Sequence, residues 1–206
     1  LEVLTALLLS GLVFKEYINN FNIGIKELEK LTKDYFDDDG FPLTRNPSDL
    51  IFFSKYLLLC KECIKDAQQY IPEFLDIIIN KNLKCIKEIL TPNNQIPLFN
   101  GGTESNLEYF DKLLNGLDYK QKNKKKIIGG IHSFNIRNNA IFFDAGEPPK
   151  KDFSKSYQSG PLSFEYYLDG KKIITNCGFG SNISSKAELL SRLTSAQSTL
   201  TLNDTS

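Results

Sequence analysis

The 206-residue sequence has no methionine, one histidine (His132) and only four cysteines. Without methionine at position 1, and ending at Asn203-Asp204-Thr205-Ser206 in a strand-rich stretch, the chain reads as a fragment of a longer protein. A single histidine limits any mechanism that needs several imidazoles. Four cysteines are too few for a disulfide scaffold. Neither charge sign is in surplus: 25 Lys plus Arg balance 25 Asp plus Glu, which argues against a dedicated nucleic-acid binder. Long apolar runs are missing too. Val3–Phe14 is nearly all apolar, yet it falls well short of the roughly 20 residues that span a bilayer. It lacks the basic start and small-residue cleavage site of a signal peptide, so a buried helix is expected and no integral membrane segment. Any targeting signal would lie upstream of residue 1.

What is present is globular: 41% hydrophobic and 24% charged residues, in a chain long enough for one large domain or two modest ones. The first part reads as paired antiparallel helices. The first carries Gly11 in its interior. The second, about Ile23 to Phe36, places Ile25, Leu28, Leu31, Tyr35 and Phe36 on one side. The acidic run Asp37-Asp38-Asp39 then meets Gly40, Pro42 and Pro47, a loop with turn chemistry. Ser48 or Asp49 can cap a third helix through Ile51 to about Ala67, and Pro72 falls in the first turn of a fourth that runs to Leu90. A long polar loop, Thr91 to Ser105, precedes a short helix from Asn106 to Leu114 that ends at Asn115-Gly116.

The pattern changes after the basic run Lys120, Lys122 and Lys124 to Lys126, read as a solvated linker. Short strands are expected at 127–128, 131–136, 140–143, 162–168, 172–175 and 198–202, with turns at Asn138-Asn139 and Asp169-Gly170. A helical region is therefore followed by an antiparallel β region, with the boundary near 117–125.

Few residues carry a chemical signal by themselves. Cys60-Lys-Glu-Cys63 lies within a helix, has no second pair or nearby histidine, and reads as buried thiols even if Cys85 is adjacent. His132, at the start of the β region, reads as a strand histidine with a satisfied hydrogen bond. Asn182-Ile-Ser184 and Asn203-Asp-Thr205 match the glycosylation sequon, a motif common by chance. Tyr35, Tyr56, Tyr157, Tyr166 and Tyr167 could line a sugar cleft by stacking, although aromatics at those spacings are more often core.

The C-terminal stretch adds a resemblance. Gly160-Pro-Leu-Ser-Phe-Glu165, Ile173-Ile-Thr-Asn-Cys-Gly178 and Arg192-Leu-Thr-Ser-Ala-Gln-Ser-Thr-Leu200 resemble the heparinase II/III-like family in order and spacing. Phe143-Asp-Ala-Gly-Glu-Pro-Pro149, Asp39-Gly40 with Arg45-Asn46-Pro47, and Pro97-Leu-Phe-Asn-Gly-Gly102 look like further family landmarks, so the similarity covers nearly the whole chain. It implies a multidomain α + β fold: the end of an incomplete (α/α) toroid (1–118) followed by the start of an antiparallel β-sandwich (119–206), with a glycan cleft between them. The implied activity is β-elimination of uronic-acid polysaccharides, in which a base takes the C5 proton and an acid protonates the leaving oxygen. Family lyases use a tyrosine and histidines, with asparagine or histidine on the substrate carboxylate, and some hold a structural zinc.

Carried over position by position, the family's histidines fall on Pro42, Gln158 and Gln197, its tyrosine on Asp49, and a metal-ligand aspartate on Asn176 or Cys177. Glutamine is a poor zinc ligand and no base at neutral pH, so no cofactor and no metal are expected. The catalytic groups are placed upstream of residue 1, with Arg45, Asn46, Tyr157, Gln158 and Gln197 as substrate-binding candidates. The implied partner is an acidic polysaccharide or glycan. The family suggests the cell envelope or periplasm, with the cytoplasm as the alternative, and the preference for Lys, Ile and Asn suits an AT-rich bacterial genome. The other reading is a non-catalytic glycan-binding protein that has lost its proton-transfer groups.

Overall fold

The computed structural model describes residues 1–105, 107, 110, 127–201 and 203. The expected helix at 106–114, the boundary at 118/119, the lysine run, Leu202 and most of the second sequon fall largely or wholly outside these residues.

Two helices open the chain, α1 (Glu2–Val13) and α2 (Ile18–Tyr35), joined by a short 3-10 turn. A methyl on Gly11 would overlap the Phe21 backbone, and one on Gly24 would press on Leu8. Those two contacts run in opposite directions along the chain, so the helices lie antiparallel and glycine permits the close approach. Only Thr5, Leu8 and Gly11 of α1 are buried, while Val3 is 80% exposed. The first helix is therefore half-buried rather than buried. Among the described residues, no helix is long and apolar enough to cross a membrane.

Asn46 caps α3 (Pro47–Asp66), accepting from the Ser48 amide at 2.9 Å, with Pro47 in the first turn. The cap thus sits two or three residues before the expected Ser48 or Asp49, because proline is pre-set for that first position. The fourth helix, α4 (Glu73–Ile89), begins just after Pro72. Leu50, Leu57, Ile64, Leu75 and Ile86, all fully buried, form the core that α3 and α4 share.

Five strands follow in a simple antiparallel meander: β1 (Ile127–Ile128), β2 (Ile131–Ile136), β3 (Asn139–Asp144), β4 (Phe164–Leu168) and β5 (Lys171–Ile174). Asp169 and Gly170, both at positive φ, make the expected two-residue hairpin turn. The other hairpin turns on Arg137-Asn138, one residue earlier than expected, with Arg137 at φ 55°. Alternation puts Ala140, Phe142 and Asp144 of β3 and Glu165 and Tyr167 of β4 on the buried face. The expected order, helices and then an antiparallel β region, holds.

Two C-terminal expectations change. Ser184 caps a short helix, α5 (Ser185–Ser191), where none was expected. Residues 198–201 form no strand. Instead, the chain lies beside β4, where the Phe164 amide donates to the Ser198 carbonyl at 3.2 Å.

Candidate functional site

The long loop at 91–105 is largely buried at the seam between helices and sheet rather than exposed. Its amides have specific acceptors there: Leu98 N–H donates to Glu165 at 3.2 Å, and Gly101 N–H to Gln158 at 2.9 Å. Glu165 is fully buried, and also accepts from the Tyr167 hydroxyl (2.9 Å), the Thr175 hydroxyl (2.8 Å) and the Asn176 amide (3.2 Å). Burial in contact with this carboxylate pushes the Tyr167 phenol well above its ordinary range.

Arg45 is the second fastening. At positive φ and 8% exposed, it sends its guanidinium from the helical side into the sheet side. There it pairs with Asp144 and donates to the carbonyls of Gly129 (3.0 Å) and Glu147 (2.9 Å). Asn100 adds a 2.9 Å bond to the same carboxylate. Gly146 and Gly130 are required here, since a methyl on either would overlap the guanidinium. Tyr157 lies against this pair, its phenol pushed up by burial first and by the Asp144 charge second.

Beside these fastenings the seam opens into a cleft of about 640 Å³, within the ~300–1,000 Å³ range of ligand sites. The helical side contributes Tyr35, Thr44, Asn46 and Asp49; the sheet side contributes Phe153, Lys155, Phe179 and Arg192, among others. Asp49 organises one wall. Its Oδ2 accepts from the Tyr35 hydroxyl at 2.8 Å and the Thr44 hydroxyl at 2.6 Å, while Asn46 donates to Oδ1 at 3.3 Å. The Tyr35 ring stacks on Phe53 with centroids 4.3 Å apart and meets Phe153 edge-on at 6.0 Å. Burial, then the Asp49 charge, raises the Tyr35 phenol well above its usual range, so it stays protonated and donates. On the opposite wall, Arg192 bonds Glu188 at 3.2 Å and covers the Phe179 ring at 5.2 Å. The Lys155 side chain is exposed and, among the described residues, forms no ion pair.

The candidates from sequence divide accordingly. Asn46 lines the cleft. Arg45 and Tyr157 stand behind it, and the Arg45 donors are engaged within the chain. Gln158 is 2% exposed, with its oxygen on Gly101 N–H and its nitrogen on the carbonyls of Gly178 and Ser191. Gln197 donates to that same Ser191 carbonyl at 2.7 Å. The structure therefore brings both glutamines to the end of α5, as donors to a helix carbonyl. Sequence reasoning passed over Asp49 and Phe153 as cleft residues. Asp49 follows Pro47 by two residues, which was the available signal; Phe153 had none.

The positions where the resemblance puts a zinc ion do not fit one. Zinc takes thiolate, imidazole or carboxylate. Here Gln158 and Gln197 point amide donors at Ser191, Asn176 Nδ2 is buried without a partner, and Cys177 is exposed. The Cys60 and Cys85 thiols are buried in the helical core, donating to Thr5 and the Asp39 carbonyl, and burial pushes the Cys60 thiol up. His132 lies on β2 opposite Phe143, with its ring near Phe134, and does not line the cleft.

Comparison with known proteins follows this geometry. Residues 128–206 match the family described as heparinase II/III-like, C-terminal. Heparan sulfate lyase HepC from Pedobacter heparinus superposes with a TM-score of 0.73 at 18% identity, over 98% of this chain and 36% of its own. A heparinase III structure gives a TM-score of 0.81 at 14% identity, over 97% of this chain and 38% of its own. The chain thus spans little more than a third of those proteins. No curated protein matches it in sequence.

Proposed function

We propose that this chain, whose residues 128–206 match the family described as heparinase II/III-like, C-terminal, forms part of a polysaccharide lyase, contributing the seam-side wall of the cleft that holds a uronic-acid-containing glycan. The observation that carries this reading is the 640 Å³ cleft between helices and sheet, with the Tyr35–Asp49 pair on one wall and Lys155 and Arg192 on the other.

β-Elimination needs three things of its site: a base at the C5 proton, a donor for the leaving oxygen, and a partner for the substrate carboxylate as charge moves onto it. Lys155 is the unpaired cation suited to the last task. Tyr35, held protonated, can only donate while it rests on Asp49. Asp49, with three donors already on it, accepts from sugar hydroxyls and orients the ring. The proton abstraction is not assigned to any residue described here. The cell envelope, where acidic glycans are met, is the setting this reading calls for.

One observation favours a second reading, a glycan-binding protein without catalysis: the described cleft lining contains no imidazole. Incubation of the protein with a panel of uronate polysaccharides, followed by the ultraviolet absorbance of an unsaturated uronate, separates the two. Absorbance rising on one substrate is expected for the lyase. A flat trace from folded protein that still binds the glycan would transfer the cleft to the second reading.

A further inference from the structure

Gln158 is a buried amide whose backbone partners fix its orientation, since a carbonyl meets only donors and an N–H only acceptors. Its oxygen accepts from Gly101 N–H at 2.9 Å, and its nitrogen donates to the carbonyls of Gly178 at 2.9 Å and Ser191 at 2.8 Å. Gln197, partly buried, donates to the same Ser191 carbonyl at 2.7 Å. Two side chains therefore converge on one acceptor at the last residue of α5. The neighbours of these groups matter most. Gly178 immediately precedes Phe179, Ser191 immediately precedes Arg192, and Lys155 lies a few residues before Gln158; Phe179, Arg192 and Lys155 all line the cleft. Further bonds join the same segments. Ser159 N–H donates to the Arg192 carbonyl at 3.0 Å, and Gly180 N–H to the Ser191 hydroxyl at 3.1 Å. The Arg192 guanidinium donates to the carbonyls of Lys155 and, at 3.4 Å, Tyr157.

Three chain segments on the sheet side of the cleft are thus tied from behind by one amide. Tying distant segments is the work of a structural metal, but an amide N–H aimed at a carbonyl has no lone pair to offer an ion. We propose that Gln158, supported by Gln197, is a metal-independent clasp that joins the segments carrying Phe179 and Arg192 to the one carrying Lys155, and so sets where that cation stands. Gln158 is then a positioning residue, acting on a ligand only through the side chain it places. The clasp stands on this geometry alone, and its effect on a ligand rests on the glycan function proposed above.

Native-state hydrogen exchange of the whole protein tests the clasp without a ligand. Gln158→Glu keeps the acceptor for Gly101 and removes both donors. The Ser159, Phe179 and Gly180 amides, which bond between segments, should then exchange about tenfold faster, the scale of one lost hydrogen bond, while amides within α3 stay protected. Gln197→Ala, at a less buried position, should have the same effect to a smaller extent, and carries the test if Gln158→Glu does not fold. Unchanged protection at the three amides, or equal loss in α3, overturns the clasp. EDTA should leave the thermal midpoint of the unsubstituted protein where it was, and a lower midpoint on chelation overturns its metal independence. Calorimetry with an unsulfated uronate tetrasaccharide reads the positioning. Gln158→Glu and Lys155→Ala should each weaken binding about tenfold, and the double variant by much less than the product of the two, because both act through one cation. Losses that multiply in full overturn the positioning of Lys155. If the unsubstituted protein binds no such probe, the glycan function fails, while the exchange result still decides the clasp.

Discussion

The helical and sheet halves are held together by different physics. Between α3 and α4 the interior is aliphatic, with Leu50, Leu57, Ile64, Leu75 and Ile86 fully buried. Behind the sheet the interior is threaded with polar groups: Asp144, Gln158, Glu165 and Asn176 are each at most 2% exposed. Aliphatic packing is non-directional and tolerates adjustment. Buried carboxylates and amides demand particular partners at particular angles, and leaving one unmet costs more than the bond itself contributes. The half that tolerates adjustment forms the scaffold, and the half that demands particular partners shapes the cleft.

Removing one member from each interior breaks the comparison most directly. Glu165→Ala strands four donors, two from the backbone, and should cost about 3–5 kcal/mol even with water entering, at about 1–3 kcal/mol per unmet group. Leu57→Ala should cost about 2–5 kcal/mol for lost transfer and the cavity left behind. Urea titration gives both numbers. The distinguishing readout is a glycan titration under native conditions: Glu165→Ala should weaken binding because the loop at Leu98 and the chain at Asn176 lose their anchorage, whereas Leu57→Ala should leave it unchanged. Equal loss of binding in both would dissolve the distinction.

A smaller effect sharpens it. Each half contains a tyrosine that donates to a carboxylate, Tyr35 to Asp49 and Tyr167 to Glu165. Both phenols are raised in the folded state. Unfolded tyrosine ionises near pH 10 while these stay protonated, so above that pH the folded state binds more protons. The stability they contribute is complete below about pH 10 and is lost as pH rises beyond it. Tyr35→Phe and Tyr167→Phe should each cost about 1 kcal/mol at neutral pH and flatten the alkaline loss. The Tyr167 variant should cost more, since Glu165 is the more buried partner. Unfolding at several pH values from 7 to 11 checks both the sign and the order.

The two halves were also unequally legible in the sequence. Helical spacing marks residues such as Leu28 that are buried, and Asp169-Gly170 marks its turn, because local sterics decide both. Helix α5 is not expected from the strand-like residues around it, although Ser184 and the run through Leu190 carry a cap and good helix formers. The seam was hardest. Nothing local says that Gln158 faces Gly101, 57 residues away, or that Arg45 reaches Asp144, 99 residues on. The resemblance marked these residues without their roles: Arg45 and Gln158 stood as ligand binders, and their polar atoms are turned inward on the chain. Asn46, beside them, does line the cleft.

The reach of those bonds also bears on how the molecule is made. Gln158 ties together Gly101, Gly178 and Ser191, partners 57, 20 and 33 residues away. Closing such loops is slow relative to joining α1 to α2, whose contacts lie within one short hairpin. On refolding, the helical pairs should therefore gain amide protection early and the Leu98 and Gly101 amides late, an order that pulsed hydrogen exchange can read. A nascent chain would hold its scaffold before it holds its cleft, and would bind no glycan until the last long loop is closed.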